Sequence, residues 1–190
     1  PEIVADVEDA FAWLRKDGPK LLNIDPNRMV ITGGSAGGYL TLTMGARLKE
    51  KPKALVAYWG YGDVDGDWLS KPSEHYRKAV PLIEKDEALK AISKTPLTGS
   101  ESGFDGKARG RLYHYYRQNG LWTKEVTGLD PASEPAKIDP LCPVRCVTKD
   151  YPPTLLIHGT EDTDVPYQRA VEMAKESERH KVPFELITVK

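Results

Sequence analysis

Ser35 is framed by glycines on both sides in Gly33-Gly34-Ser35-Ala36-Gly37-Gly38, with the apolar run Met29-Val30-Ile31-Thr32 before it and a helix-like stretch after it. A Gly-x-Ser-x-Gly turn takes the chain sharply from strand to helix, its glycines keeping Cβ atoms out of a crowded bend while the serine sits in a strained backbone conformation. The hydroxyl is thereby lifted clear of the sheet as a nucleophile. The same turn puts Ser35 at a helix N-terminus, where unsatisfied N–H groups favour negative charge and the Ala36 N–H can bind the oxyanion of a tetrahedral intermediate. Two phosphate-binding readings fail on spacing. A P-loop must end in Gly-Lys-Ser/Thr, and a dinucleotide fingerprint needs glycines at its first, third and sixth positions, where Ser35 occupies the third.

The elements that must position this serine follow from periodicity. Ile3, Val7, Ala10, Phe11 and Leu14 recur at helical spacing across residues 2–16, which predicts a surface helix over a sheet, ended by Gly18-Pro19. Residues 28–32 predict a short buried strand feeding the turn, and residues 39–49 a helix after it. Residues 54–59, 154–158 and 184–189 predict three more strands, with a helix over 167–179. Strands alternating with helices of these lengths argue for an α/β fold with a mostly parallel sheet and helices on its faces.

Residues 61–150 are far longer than an ordinary connection in such a fold. They predict a cap that shapes a substrate pocket, helical over 79–93 and 107–118, with Leu112, Tyr115 and Tyr116 on one face. Residues 1–190 otherwise read as one domain.

Composition narrows the function. At 39% hydrophobic and 29% charged, 190 residues suffice for a real core, and the formal charge of −1 gives no general attraction to nucleic acid or acidic lipid. No run approaches the ~18 apolar residues of a membrane span. A small neutral or weakly polar substrate fits best. Cys142 and Cys146 lie in a proline-containing loop and are expected as free thiols, since a metal site needs further ligands with suitable spacing.

Three stretches together resemble the α/β-hydrolase superfamily, in its esterase and lipase branch near hormone-sensitive lipase, dienelactone hydrolase and prolyl oligopeptidase relatives. They are Ile24-Asp25-Pro26-Asn27-Arg28, the glycine-framed turn, and Leu155-Leu156-Ile157-His158-Gly159-Thr160-Glu161-Asp162-Thr163-Asp164-Val165-Pro166. The resemblance implies a three-layer, partial α/β-hydrolase fold with a large cap insertion and a catalytic triad running serine, acid, histidine along the chain. It assigns the acid to Asp162, four positions after His158, where a carboxylate can orient a histidine and stabilise its cation. Asp164 is the nearest rival, then Asp139.

The chain departs from that pattern at both ends. Relatives carry the general base just after the last strand and a second oxyanion loop before the nucleophile, and neither has a counterpart here. The chain begins at Pro1 with no leader and reads as a fragment matching strands five to eight of an eight-stranded sheet. On this expectation its first strand has an unpaired edge and the chain alone turns over nothing. His158 and His180 are expected to be non-catalytic, and His75 and His114 to belong to the cap.

Two weaker signals are set aside. Lys107, Arg109 and Arg111 beside Tyr113, Tyr115 and Tyr116 mix basic and aromatic residues as single-strand binders do, but the rest of the chain is not basic. Asp63, Asp65, Asp67 and Glu74 mimic a calcium loop, yet Trp68 stands where that loop requires glycine. The sequence thus points to a cofactor-independent serine hydrolase of carboxylic esters, with Ser35 as nucleophile, Asp162 as orienting acid and Ala36 as oxyanion donor. A serine peptidase resembling prolyl oligopeptidase, and a non-catalytic fragment or binding protein of the same fold, are the alternatives.

Overall fold

The computed structural model describes residues 2–92 and 106–190. In chain order it contains α1 (Glu2–Lys16), α2 (Gly18–Leu22), β1 (Val30–Gly34), α3 (Ala36–Arg47) and β2 (Ala54–Tyr58). Then come α4 (Asp67–Ser70), α5 (Glu74–Ala79), α6 (Lys85–Leu89), α7 (Gly106–Asn119), α8 (Trp122–Thr127) and α9 (Pro135–Ile138). Two 3-10 turns precede β3 (Thr154–Gly159), α10 (Gln168–Arg179) and β4 (Phe184–Val189). The strands form one sheet in the order β1-β2-β3-β4, every neighbouring pair parallel. A parallel sheet flanked by helices is the α/β architecture expected. Among the described residues no helix is long and apolar enough to cross a membrane.

The chain forms two compact units, one of residues 1–64 with 135–190 and the other Asp65–Glu134. In the first, Leu42 of α3, Leu55 and Ala57 of β2, Leu156 of β3 and Met173 of α10 share one buried cluster. The inward residues Ala57 and Leu156 are register partners, so alternation along both strands directs them to the same face. A second cluster packs Val4 and Phe11 of α1 against Met44 of α3 and Leu48 just beyond it.

Several boundaries differ from expectation for identifiable reasons. α1 buries Phe11 and half-buries Val7 and Leu14 as expected, but Val4 takes the inward place of Ile3, which is 60% exposed, and Ala10 is exposed. α1 ends at Lys16 as expected, but Pro19 also opens a further short helix, lying in the first turn of α2, where its missing N–H costs nothing. β1 begins two residues later than expected and runs through both glycines, because Gly33 and Gly34 pair with Ala57 and Tyr58. α3 starts three residues earlier, directly after Ser35. The helix expected over 79–93 is interrupted instead: Val80 is extended at φ −134, ψ 150, as the residue before Pro81 must be, and Ser93 lies outside the described residues. Val147, from the long connection, and Tyr151, just after it, join the core of the first unit, and the buried Tyr151 hydroxyl donates to the carbonyl of Leu42.

The second unit is organised around a buried arginine. The Arg117 guanidinium lies 5.1, 4.9 and 5.6 Å from the ring centres of Trp68, Tyr76 and Tyr113 and donates to the Tyr113 hydroxyl at 2.6 Å. Attraction to three ring faces compensates its removal from water. The neighbouring Gln118 donates to the carbonyls of Tyr76 and Pro81, each at 3.0 Å, tying the α5–α6 connection to α7.

Candidate active site

Ser35 occupies a turn one residue long. Its backbone is at φ 53, ψ −121, a region that side-chain-bearing residues rarely adopt and that concentrates at functional sites. Hydrogen bonds fix it from both sides: the Ser35 N–H donates to the Tyr58 carbonyl at 3.0 Å, and the Tyr39 N–H to the Ser35 carbonyl at 3.0 Å. The hydroxyl makes no capping bond to α3. Ala36 is the first residue of α3, so its N–H has no acceptor within the helix and stands beside the hydroxyl's own residue.

The glycines divide their labour differently from expectation. A Cβ on Gly33 would collide with the carbonyl group of Gly37, whereas a Cβ on Gly37 would meet nothing within 4 Å. Gly33 is therefore sterically required and Gly37 serves only as the backbone it must clear. Gly38 is the other crowded position, packed directly on Gly60, a contact that nothing in the local motif announces.

Asp162 follows β3, and the turn after it wraps its carboxylate. Its Oδ1 accepts the N–H groups of Asp164 at 2.8 Å and Val165 at 2.9 Å, and its Oδ2 lies 3.3 Å from Nε2 of His158. Among the acids considered, Asp164 supplies a backbone donor to Asp162, and Asp139 pairs with Arg145 at 3.1 Å. Ser35 and Asp162 thus both leave the C-terminal edge of the sheet, on strands separated by β2 alone, about 10 Å apart at the usual strand spacing.

Trp59 occupies the ground between them. It directly follows β2, holds the positive φ of 36°, and is 46% exposed. A Cβ on Gly34 would lie 3.2 Å from its indole, so the doubled glycine before Ser35 makes room for the ring. With Ile157, His158, Gly159, Asp162 and Val189, Trp59 lines a pocket of about 380 Å³ beside the carboxylate.

The remaining predicted residues lie elsewhere. His158 is buried, His180 caps the end of α10 at 3.9 Å from Glu176, and His75 and His114 pack around Tyr76 in the second unit. Asp63 of the calcium-like stretch pairs with Arg169 at 3.2 Å. Among the described residues no group of three or more potential ligands could hold a metal ion. Cys142 and Cys146 are not joined in a disulfide.

The sequence profile of the alpha/beta hydrolase fold matches residues 1–190. The non-reducing polyketide synthase Preu6 of Preussia isomera is 27% identical over 90% of this chain, which spans only 9% of that protein. Among solved structures, a Staphylococcus aureus protein of unknown function superposes with a TM-score of 0.70 at 19% identity, covering 98% of this chain and 60% of its own. The acetyl ester-xyloside bifunctional hydrolase of Caldicellulosiruptor lactoaceticus gives 0.58 at 21% identity, covering 97% of this chain and 54% of its own.

Proposed function

Because this chain belongs to the α/β-hydrolase fold family, we propose that it carries the nucleophile and the orienting acid of a serine hydrolase that cleaves carboxylic esters through an acyl-enzyme. The observation that carries this reading is the pairing of a strained, uncapped Ser35 with a carboxylate already wrapped by two backbone N–H groups on the same sheet edge. Both groups are pre-organised for roles that demand fixed geometry.

In the proposed cycle the Ser35 hydroxyl oxygen attacks the ester carbonyl carbon as its proton passes to an imidazole. The Ala36 N–H stabilises the resulting oxyanion. Collapse expels the alcohol, which takes the proton from the imidazolium, and water then repeats the sequence on the acyl-enzyme to release the acid and regenerate Ser35. Asp162 orients the imidazole and stabilises its cation. We assign that imidazole to a histidine outside residues 1–190, as the resemblance to α/β-hydrolases implies; His158 is bound within the core and His180 sits at the end of α10. The pocket beside Asp162 has room for such a ring, and Asp65–Glu134 forms the compact part of the proposed cap insertion.

The similarity to a segment of a polyketide synthase favours a second reading in which the acyl group arrives as a thioester. Chemistry at Ser35 would be unchanged, and only the leaving group would differ.

Fluorophosphonate labelling of the full-length protein tests the shared premise. Label is expected on Ser35 and none on Ser35→Ala, and label persisting in that variant would defeat it. Comparing p-nitrophenyl acetate with an acyl thioester of the same acid separates the two readings. An unlabelled protein would favour a non-catalytic role for the fold.

A further inference from the structure

His158 has no part in the cycle just described, yet it is among the most completely buried side chains of the molecule. Its Nε2 lies 2.9 Å from the carbonyl oxygen of Val165 and 3.3 Å from Oδ2 of Asp162. A carbonyl can only accept, so the bond to Val165 places the proton on Nε2. That N–H faces two acceptors of one loop at once. Nδ1, at the opposite side of the ring, has no hydrogen-bond partner, and the edge-on ring of Tyr167, 5.8 Å away, closes the site near the start of α10.

From this geometry we infer that His158 is a positioning residue for Asp162, pinning the acid-bearing turn from beneath so that its carboxylate is presented to the base. The inference rests on Asp162 as orienting acid. The turn closes on itself in two steps. Asp162 Oδ1 gathers the N–H groups of Asp164 and Val165, and the carbonyl of that same Val165 is held by His158. One residue is therefore fixed at both of its peptide groups, by the carboxylate on one side and by the imidazole on the other. Because His158 is the penultimate residue of β3 and pairs in register with Thr188 of β4, the anchor belongs to the sheet and not to the loop. Groups held by rigid elements keep catalytic geometry better than groups held by loops. A purely apolar residue would fill the same volume and leave the Val165 carbonyl buried without a donor.

The test compares His158→Leu, which removes the donor, with His158→Gln, whose amide can reach the same carbonyl. In the full-length protein, His158→Leu is expected to lower kcat on the order of a hundredfold, as a misplaced catalytic group does, with KM unchanged. His158→Gln should recover most of that loss. Combined with Asp162→Asn, His158→Leu should cost nothing further, since the two act through one group. Additive losses, a rise in KM alone, or a glutamine variant no better than leucine would overturn the role. Should the leucine variant not fold, long-range proton–nitrogen spectra of the unsubstituted protein decide: a slowly exchanging Nε2 proton on His158 is expected, and an Nδ1-protonated ring refutes the inference. Absence of fluorophosphonate labelling in the unsubstituted protein would instead strike the hydrolase reading itself.

Discussion

The backbones of Gly38 and Gly60 touch: a Cβ on Gly38 would lie 2.7 Å from the Cα of Gly60, and one on Gly60 would lie 2.9 Å from the carbonyl carbon of Gly38. This contact presses the first turn of α3 onto the segment leaving β2, directly behind the Ser35 turn. Backbone cannot yield as a flexible side chain can. Gly38→Ala and Gly60→Ala are each expected to cost about 1–3 kcal/mol in urea denaturation, the usual range for overpacking. Gly37→Ala, with open space around its Cβ, should instead be neutral or stabilising by about 0.5–1 kcal/mol through helix propensity. Equal losses at all three positions would contradict this division.

The nucleophile's own conformation has a measurable cost. Ser35 at φ 53, ψ −121 stores about 1–3 kcal/mol of backbone strain by comparison with other sparsely populated conformations. Ser35→Gly removes that strain but enlarges the unfolded ensemble, which costs about 0.5–1 kcal/mol. The strain is the larger quantity, so Ser35→Gly should be about 1 kcal/mol more stable than Ser35→Ala, which keeps a Cβ. Both should be inert to fluorophosphonate. A glycine variant less stable than the alanine one would show that the turn is relaxed.

A charge cluster behind the sheet edge gives a pH dependence. Arg169 pairs with Glu172 at 2.8 Å and with the buried Asp63 at 3.2 Å. Despite that partner, the Glu172 carboxyl is raised above its ordinary value, burial being the largest cause and outweighing the attraction of Arg169. The folded state thus holds the Glu172 proton more tightly than the unfolded chain does. Ionised Glu172 therefore subtracts stability, a loss absent below the unfolded value and complete above the folded one. Relative to wild type, Glu172→Gln should gain in Tm as pH rises from about 4 to about 7. A Tm difference that moves the other way across that window would assign the larger effect to Arg169, and a constant one would show burial and ion pairing cancelling.

The parts of the site written in local sequence were legible, and those made by distant contacts were not. The Ser35 turn, the four strands and α1, α7 and α10 announce themselves through glycine spacing and apolar periodicity, and the structure contains them within a few residues. Gly60 was silent because its necessity comes from Gly38, across the chain crossing from α3 to β2. The left-handed backbone of Trp59 was equally hidden, since a bulky aromatic residue carries no signal for positive φ; the one available hint was the unneeded second glycine at Gly34, which its indole overlies. His158 was legible as a non-catalytic residue, but its hold on Val165 depends on a loop that doubles back seven residues later. Pro81 should have warned against one continuous helix after Ala79, because a proline dictates the conformation of its predecessor whatever the hydrophobic pattern says.

The hydrogen bond from the Val144 N–H to the Gly62 carbonyl, 3.0 Å long, joins the chain shortly before Asp65–Glu134 to the 3-10 turns that follow it. It staples departure to return. Because the chain on either side of Asp65–Glu134 is held within the sheet-bearing unit, lengthening, shortening or exchanging that insert need not disturb the register of β2 against β3.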